Sequence, residues 1–443
     1  MPVANLLYSA TLRPRFIRLT VVLPGGMADG RARGAIASMI SVASQTGKTG
    51  EFRGGWRVLV AGLVGAMFGI SALPFYTLGL FVKPLGEAFG WSREAVQWGF
   101  AVQMLGMLCV AWAYGILTDK WGARRVALLS QVGLGVGLLG IAAVTSLTHW
   151  YLAWFMLALL GAGTSPVTWT RGVNGWFDRA RGTALGIMLA GTGLTAVIAP
   201  PLITAIVADH GWRMGYVALG AGVLGIALPL TWLLFHDRAA LPNAVIAGAS
   251  RREAFTDRRF WIMLLVFTLI TFAVSGIIPS LVPLLGDRGF SPERAALFAS
   301  LVGLAVIAGR VVAGILLDRF WAPGVAVAFL LLPALSCVLL ATGSSTNPLV
   351  LGTAVVLVGL AAGAEFDLVA FMASRYFGMA NYGVIYSQLM VGMLVGGGFG
   401  PPIFGRVFDQ TGSYQPALWF AAGIFAVAPL LLLTLGRYPK ADA

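Results

Sequence analysis

GILTDKWGARR at Gly115–Arg125 and GILLDRFWAPG at Gly314–Gly324 repeat Gly-Ile-Leu-x-Asp at a spacing of 199 residues. Each copy follows a long apolar run and precedes another, so each reads as a tight polar turn between two helices. What the duplicated turn serves depends on the runs around it.

Of the 443 residues, 58% are hydrophobic and 11% are charged, whereas roughly a quarter are charged in soluble globular domains. From Trp56 onward, stretches with few or no charges alternate with short polar links. They fall at about 56–80, 95–117, 126–146, 150–174, 183–207, 214–235, 260–285, 295–317, 324–342, 348–374, 382–405 and 415–435. Each is long enough for a bilayer core of roughly 30 Å. The runs lack the apolar and polar alternation of transmembrane strands, and the 58 glycines suit helices packed closely in lipid. The predicted fold is an all-α polytopic membrane protein of twelve transmembrane helices.

A net charge of +13 raises nucleic acid as a partner, but its placement points to a membrane instead. With the amino terminus taken as cytoplasmic, outside links hold only Lys83, Arg93, Arg213, Arg288, Arg294 and Arg406, and Arg171 and Arg310 lie within spans. The other Lys and Arg are cytoplasmic, the bias that orients membrane proteins. Both termini are therefore expected inside, in a bacterial inner or plasma membrane. Cys109 and Cys337 sit in different spans and read as packing residues, and His149, His210 and His236 have no second ligand at metal spacing. No nucleotide-binding loop or nucleophile elbow occurs, so neither enzyme activity nor a cofactor is expected.

Residues 1–55 are basic, with apolar runs too short to span, and predict a disordered cytoplasmic extension dispensable up to Met39. A transit peptide or a start at Met27 or Met39 are alternative readings. Residues 236–259 read as a cytoplasmic linker between six-helix halves at 56–235 and 260–436, and 437–443 as a tail. The halves are copies: FGWSREAV at 89–96 answers RGFSPERA at 288–295, GWFDRARG at 175–182 answers RYFGMANY at 375–382, and APPLITAIVADHGW at 199–212 answers GPPIFGRVFDQTGS at 400–413. Such repeats serve alternating access about a midplane site.

Gly115-x-Leu117-x-Asp119-x-x-Gly122-x-Arg124-Arg125 resembles the signature loop of the major facilitator superfamily, and Gly314-x-Leu316-x-Asp318-Arg319 its weaker second copy. GWRVLVAG opening the first span, FVKPLGEAFGWS after it and WFDRARGTALGIMLAG entering the fifth resemble the monocarboxylate transporter and oxalate/formate antiporter branch. The resemblance implies that Asp119, Arg124, Arg125 and Asp318 latch the cytoplasmic gate; the plainer reading is a topology anchor.

Charges inside the hydrocarbon are costly and usually face a cavity. Arg310 lies eight residues before Asp318, hence about 12 Å above the turn. Gly303, Val306 and Gly314 on its face are expected to leave room around the guanidinium, whose fork suits a carboxylate; a structural ion pair is the alternative. The resemblance implies the substrate-binding arginine of the eighth span. Two positions depart from the pattern: Val306 stands where the animal transporters have an aspartate, and Tyr76 where they have a lysine. Glu365 and Asp367, about 200° apart on the tenth span, are the proton-coupling candidates. Tyr76, Phe75, Tyr382 and Tyr386 are candidates for the walls of a small-ligand site, and Arg171 reads as an interface anchor. The expected function is secondary active transport of small organic anions, a monocarboxylate moved with a proton, with membrane lipid as a further partner. Anion exchange and a non-transporting sensor are the alternatives.

Overall fold

The structure, a computed structural model, describes residues 48–177, 180–238, 250–342, 347–378 and 381–438. The expectations for residues 1–38, and for residues 239–249 of the 236–259 linker, therefore fall outside the described residues. The residues up to Gly54 and those from Gly55 onward belong to two units. The second unit carries the architecture.

Its described residues are helical nearly throughout. In chain order the helices are α1 Lys48–Met67, α2 Leu73–Phe89, α3 Arg93–Trp121, α4 Ala123–Ala142, α5 Leu147–Gly161, α6 Pro166–Asn174, α7 Arg181–Gly222 and α8 Leu228–Leu234. They continue with α9 Arg251–Thr256, α10 Arg258–Asp287, α11 Pro292–Leu317, α12 Ala322–Leu330, α13 Leu332–Thr342, α14 Pro348–Phe377, α15 Tyr382–Thr411 and α16 Gln415–Val427.

Among the described residues, ten helical segments are long and apolar enough to cross a membrane. The expected twelve needs two adjustments. The segment Arg181–Leu234 runs 54 residues, but Gly211 inside it has φ 81° and ψ 168° and divides it where the fifth and sixth spans were expected to part. The expected first span is two helices, α1 and α2, interrupted between Met67 and Leu73. That interruption lies among packed helices, and its polar backbone is satisfied by side chains: Gln103 Nε2 donates to Ile70 O at 3.2 Å, and Ile70 N donates to Thr164 Oγ1 at 3.0 Å. Broken backbone at membrane depth requires such partners. Large apolar side chains such as Trp112 and Leu349 are exposed, which suits a lipid-facing surface.

The sequence duplication is a duplication of geometry. Ser92 caps α3 by accepting from Ala95 N, and Ser291 caps α11 by accepting from Arg294 N. Left-handed glycines precede both caps, Gly90 at φ 71° and Gly289 at φ 84°, and another pair, Gly211 and Gly412, breaks each half at its APPLITAIVADHGW-type repeat. Within the second half α11 packs on α14 and α10 on α15; between the halves α11 packs on α7 and α15 on α3. Glycine makes the α11–α14 contact so close that backbone meets backbone. A Cβ at Gly363 would stand 2.1 Å from Val306 O, and one at Gly309 2.2 Å from Leu360 O.

Candidate functional site

That backbone contact determines where Arg310 and Asp367 meet. Arg310 follows Gly309 on α11, and Asp367 is one helical turn beyond Gly363 on α14. With the two backbones touching, the side chains converge: Arg310 Nε lies 3.7 Å from Asp367 Oδ2, with side chains 11% and 29% exposed. This is ion-pair range but too long for a hydrogen bond. Nε and Nη1 of Arg310 are occluded and have no hydrogen-bond partner. A guanidinium normally satisfies its donors when removed from water, so this one is short of acceptors. The room expected around it does not come from all three small residues. Gly303 packs against Gly193 O, and the Val306 backbone is covered by Gly363, while only Gly314 has open space beside it.

The other acid of α14 has a different partner. Glu365 is 2% exposed, and the Thr271 hydroxyl of α10 donates to its Oε1. The same hydroxyl reaches Phe267 O at 2.7 Å. A hydroxyl carries one proton and can serve only one of these acceptors at a time. A proton on the Glu365 carboxyl would supply the second hydrogen. Thr271 was not foreseen, because a threonine in an apolar run has no local signature of such a role.

The aromatic candidates gather around the same centre. The Arg310 and Glu365 charges both act on Tyr76 of α2, and the Arg310 and Asp367 charges act on Tyr386 of α15. Phe75 meets Tyr76 edge to face at 5.0 Å, while Tyr382 and Tyr386 lie almost parallel, 9° apart with centroids at 5.4 Å. The first half thus contributes Tyr76 and the second contributes Arg310, Glu365, Asp367 and Tyr386.

At one end of the bundle, charges join the halves. Arg93 of α3 donates from Nη1 and Nη2 to the two oxygens of Asp287 at 2.7 and 2.8 Å, and from Nη1 to Tyr414 Oη at 3.0 Å. Its guanidinium lies 3.5 Å from the Phe408 ring centroid. Lys83 Nζ reaches Asp287 at 3.0 Å. Asp409 at the end of α15 accepts from Arg93 N and Glu94 N at 3.1 and 2.8 Å, so it caps a helix of the other half. Beneath this network Gln97 donates to Ser280 at 3.4 Å. In the sequence Lys83 and Arg93 register only as link charges.

At the opposite end lie the duplicated turns, and their partners are within each half. The carboxylate at the start of α4 is that of Asp237, which follows α8: both its oxygens accept from Arg124 N, at 3.1 and 3.2 Å. Arg124 Nη2 also donates to Trp232 O at 2.7 Å. Asp119 lies in the last turn of α3, and its side chain is outside the described residues. In the second half Tyr438, after the last span, accepts from Ala322 N, the first residue of α12, at 2.9 Å. Each turn is therefore tied to the end of its own sixth helix. Arg125 and Asp318 are exposed. Arg171, in α6, is exposed as well, and Cys109, expected to pack, is also exposed, whereas Cys337 is buried.

Comparison with known proteins bears on the family and the fold. The family model of the Major Facilitator Superfamily matches residues 64–401. Human monocarboxylate transporter 11 is 28% identical over 412 residues, covering 87% of this chain and 84% of that protein. A probable sulfoacetate transporter of Cupriavidus necator is 26% identical, covering 85% of this chain and 95% of that protein. Among solved structures, a point mutant of the nucleoside transporter NupG superposes with a TM-score of 0.69 at 14% identity, over 86% of this chain and 99% of that one. The last likeness concerns the fold alone.

Proposed function

This chain belongs to the major facilitator superfamily, and we propose that this multi-pass membrane transporter carries small organic anions, a monocarboxylate moved together with a proton. The observation that carries the reading is the Arg310 guanidinium, set where α11 packs on α14 with Nε and Nη1 unpartnered and an acid 3.7 Å away. A carboxylate ligand supplies the missing acceptors, and the planar fork of arginine binds it better than an ammonium does. The names of relatives, a monocarboxylate transporter and a probable sulfoacetate transporter, point to the same class of cargo.

Coupling follows from competition. With the site empty, Asp367 is the only anion within ion-pair distance of Arg310 among the described residues. A substrate carboxylate entering beside an ionised Asp367 brings two negative charges to one positive charge. Protonating Asp367 removes the excess, so the substrate and proton enter together and leave together. Glu365, hydrogen-bonded to Thr271, is the second candidate for the proton.

The distribution of Lys and Arg supports cytoplasmic termini. The Arg93–Asp287 network then closes the outer end, and the Asp119, Arg124, Arg125 and Asp318 turns belong to the inner gate. In this role the turns stiffen each half, so that the halves rock as bodies about the site.

Uptake of a labelled carboxylate into proteoliposomes, with and without an inward proton gradient, tests the coupling. Asp367→Asn should retain binding and lose acceleration by the gradient, with Glu365→Gln showing that phenotype if Glu365 carries the proton. A double variant accelerated like the parent would refute the role of α14. Counterflow without any gradient effect in the parent would favour anion exchange, and absence of uptake for every acid would favour a sensor.

A further inference from the structure

The carboxylate site has a second chemical feature that a short aliphatic acid would leave unused. Tyr382 and Tyr386 are four residues apart on α15 and therefore share one helix face. Their rings are parallel within 9° at 5.4 Å, an offset stack. Tyr386 lies near enough to Arg310 and Asp367 for both charges to act on it. Tyr76 approaches Arg310 from the other half and is braced by Phe75 at 5.0 Å.

Simple packing would explain the rings but not their hydroxyls. In a low-dielectric interior a tyrosine hydroxyl ordinarily finds a partner, and where it has none phenylalanine serves better. Elsewhere among the described residues Tyr114 donates to Leu159 O at 2.8 Å, Tyr151 to Ala95 O at 3.0 Å and Tyr376 to Gly436 O at 2.7 Å, whereas the Tyr216 hydroxyl is fully occluded without a partner. Among the described residues no group bonds the hydroxyls of Tyr76, Tyr382 or Tyr386, nor are these hydroxyls among the fully occluded, unpartnered polar atoms. Each of the three hydroxyls thus keeps some accessible surface. The site therefore offers a cation with free donors, a pair of flat rings and three free hydroxyls.

We propose that the preferred cargo is an aromatic monocarboxylate bearing a ring hydroxyl, held by Arg310 at its carboxylate and by the Tyr382–Tyr386 face and the free tyrosine hydroxyls at its ring. The proposal rests on the carboxylate reading of the site and narrows it. A benzoate-type acid is planar and stiff, so it loses little freedom on binding. Its ring stacks on tyrosine, and its hydroxyl exchanges hydrogen bonds with groups that otherwise have none.

The test is equilibrium binding to the purified full-length protein by titration calorimetry, using 4-hydroxybenzoate, benzoate, cyclohexanecarboxylate and lactate as probes. Affinity should fall in the order 4-hydroxybenzoate, benzoate, cyclohexanecarboxylate, with about a tenfold gap between first and last. Tyr386→Leu should erase that gap by weakening the aromatic acids alone, and Tyr386→Phe, which keeps the ring, should lose only part of the advantage of 4-hydroxybenzoate over benzoate. Equal binding of cyclohexanecarboxylate and 4-hydroxybenzoate would overturn the proposal while leaving the carboxylate reading intact, as would lactate binding without either ring acid. Failure of all four acids, with Arg310→Ala indistinguishable from the parent, would overturn the carboxylate reading and this proposal together.

Discussion

Replacing Arg93 by alanine should open the end of the bundle that its side chain closes. The guanidinium gives Asp287 two hydrogen bonds, at 2.7 and 2.8 Å, gives Tyr414 a third at 3.0 Å, and covers the Phe408 ring at 3.5 Å. Hydrogen bonds to charged groups contribute roughly 1.5–3 kcal/mol net, and an exposed cation–π contact roughly 0.5–1 kcal/mol. Asp287 is 29% exposed and keeps Lys83 at 3.0 Å as a partner, so solvent screening and the surviving pair put the loss near the low end. A net shift of about 2 kcal/mol corresponds to about 30-fold in the open-to-closed ratio. Ser280 reports it, being 1% exposed beneath the network and bonded to Gln97. In a background with Cys109 and Cys337 replaced by alanine, Ser280→Cys should react slowly with a membrane-impermeant maleimide applied from outside. Adding Arg93→Ala should accelerate the reaction about 30-fold, since the rate follows the open fraction when opening and closing are fast. Asp287→Ala should do the same, and combining it with Arg93→Ala should add little, because both remove one interaction. At 1 M salt, where the Debye length is about 3 Å, the difference should shrink. An unchanged labelling rate in folded Arg93→Ala would refute the latch.

Other consequences concern the packing that builds the site. Gly363→Leu places side-chain atoms where Val306 O stands 2.1 Å from the glycine Cβ position, so it should lower the thermal midpoint by overpacking, roughly 1–3 kcal/mol, and weaken carboxylate binding. Wild-type melting would show that the helices have room to part. Asp237→Ala removes the acceptor for Arg124 N and should cost about 1 kcal/mol in thermal unfolding, with Asp237→Asn retaining most of the stability. Tyr438→Phe deletes the corresponding acceptor for Ala322 N, and a stability equal to wild type would show that the second brace contributes nothing. Asp409→Ala should loosen the start of α3 and add to Ser280→Cys labelling, since it uncaps Arg93 N and Glu94 N across the halves.

The fold was legible because its signals are local. Long apolar runs, Ser caps such as Ser92 and Ser291, and the glycines that need positive φ at 90 and 289 recur with the repeat, and each acts within a few residues of chain. The depth of Arg310 and Asp367 was equally readable, because rise per residue along a helix is fixed. What the sequence left open is which faces meet. Val306 and Gly303 seemed to offer space until the backbones of α11 and α14, and of α11 and α7, were seen to touch through glycines. Caps supplied from afar were missed for the same reason: Asp237 and Asp409 satisfy N–H groups 113 and 316 residues away, and no spacing rule reaches across such distances. The break between Met67 and Leu73 has Gly69 as a cue, but its stability comes from Gln103 and Thr164 on other helices. Glu365 and Asp367 looked interchangeable in sequence, and only their partners, Thr271 and Arg310, distinguish them.

The central claim is that Arg310 holds the anion being moved, and uptake by proteoliposomes containing the parent, Arg310→Ala or Arg310→Lys tests it most directly. The measurement is initial uptake of a radiolabelled carboxylate under an inward proton gradient, with folded protein verified by gel filtration. The parent should accumulate the label; Arg310→Ala should reduce uptake to that of empty vesicles, and Arg310→Lys should restore little of it, because an ammonium keeps the charge but lacks the planar fork. Near-parental uptake by folded Arg310→Ala would contradict the account.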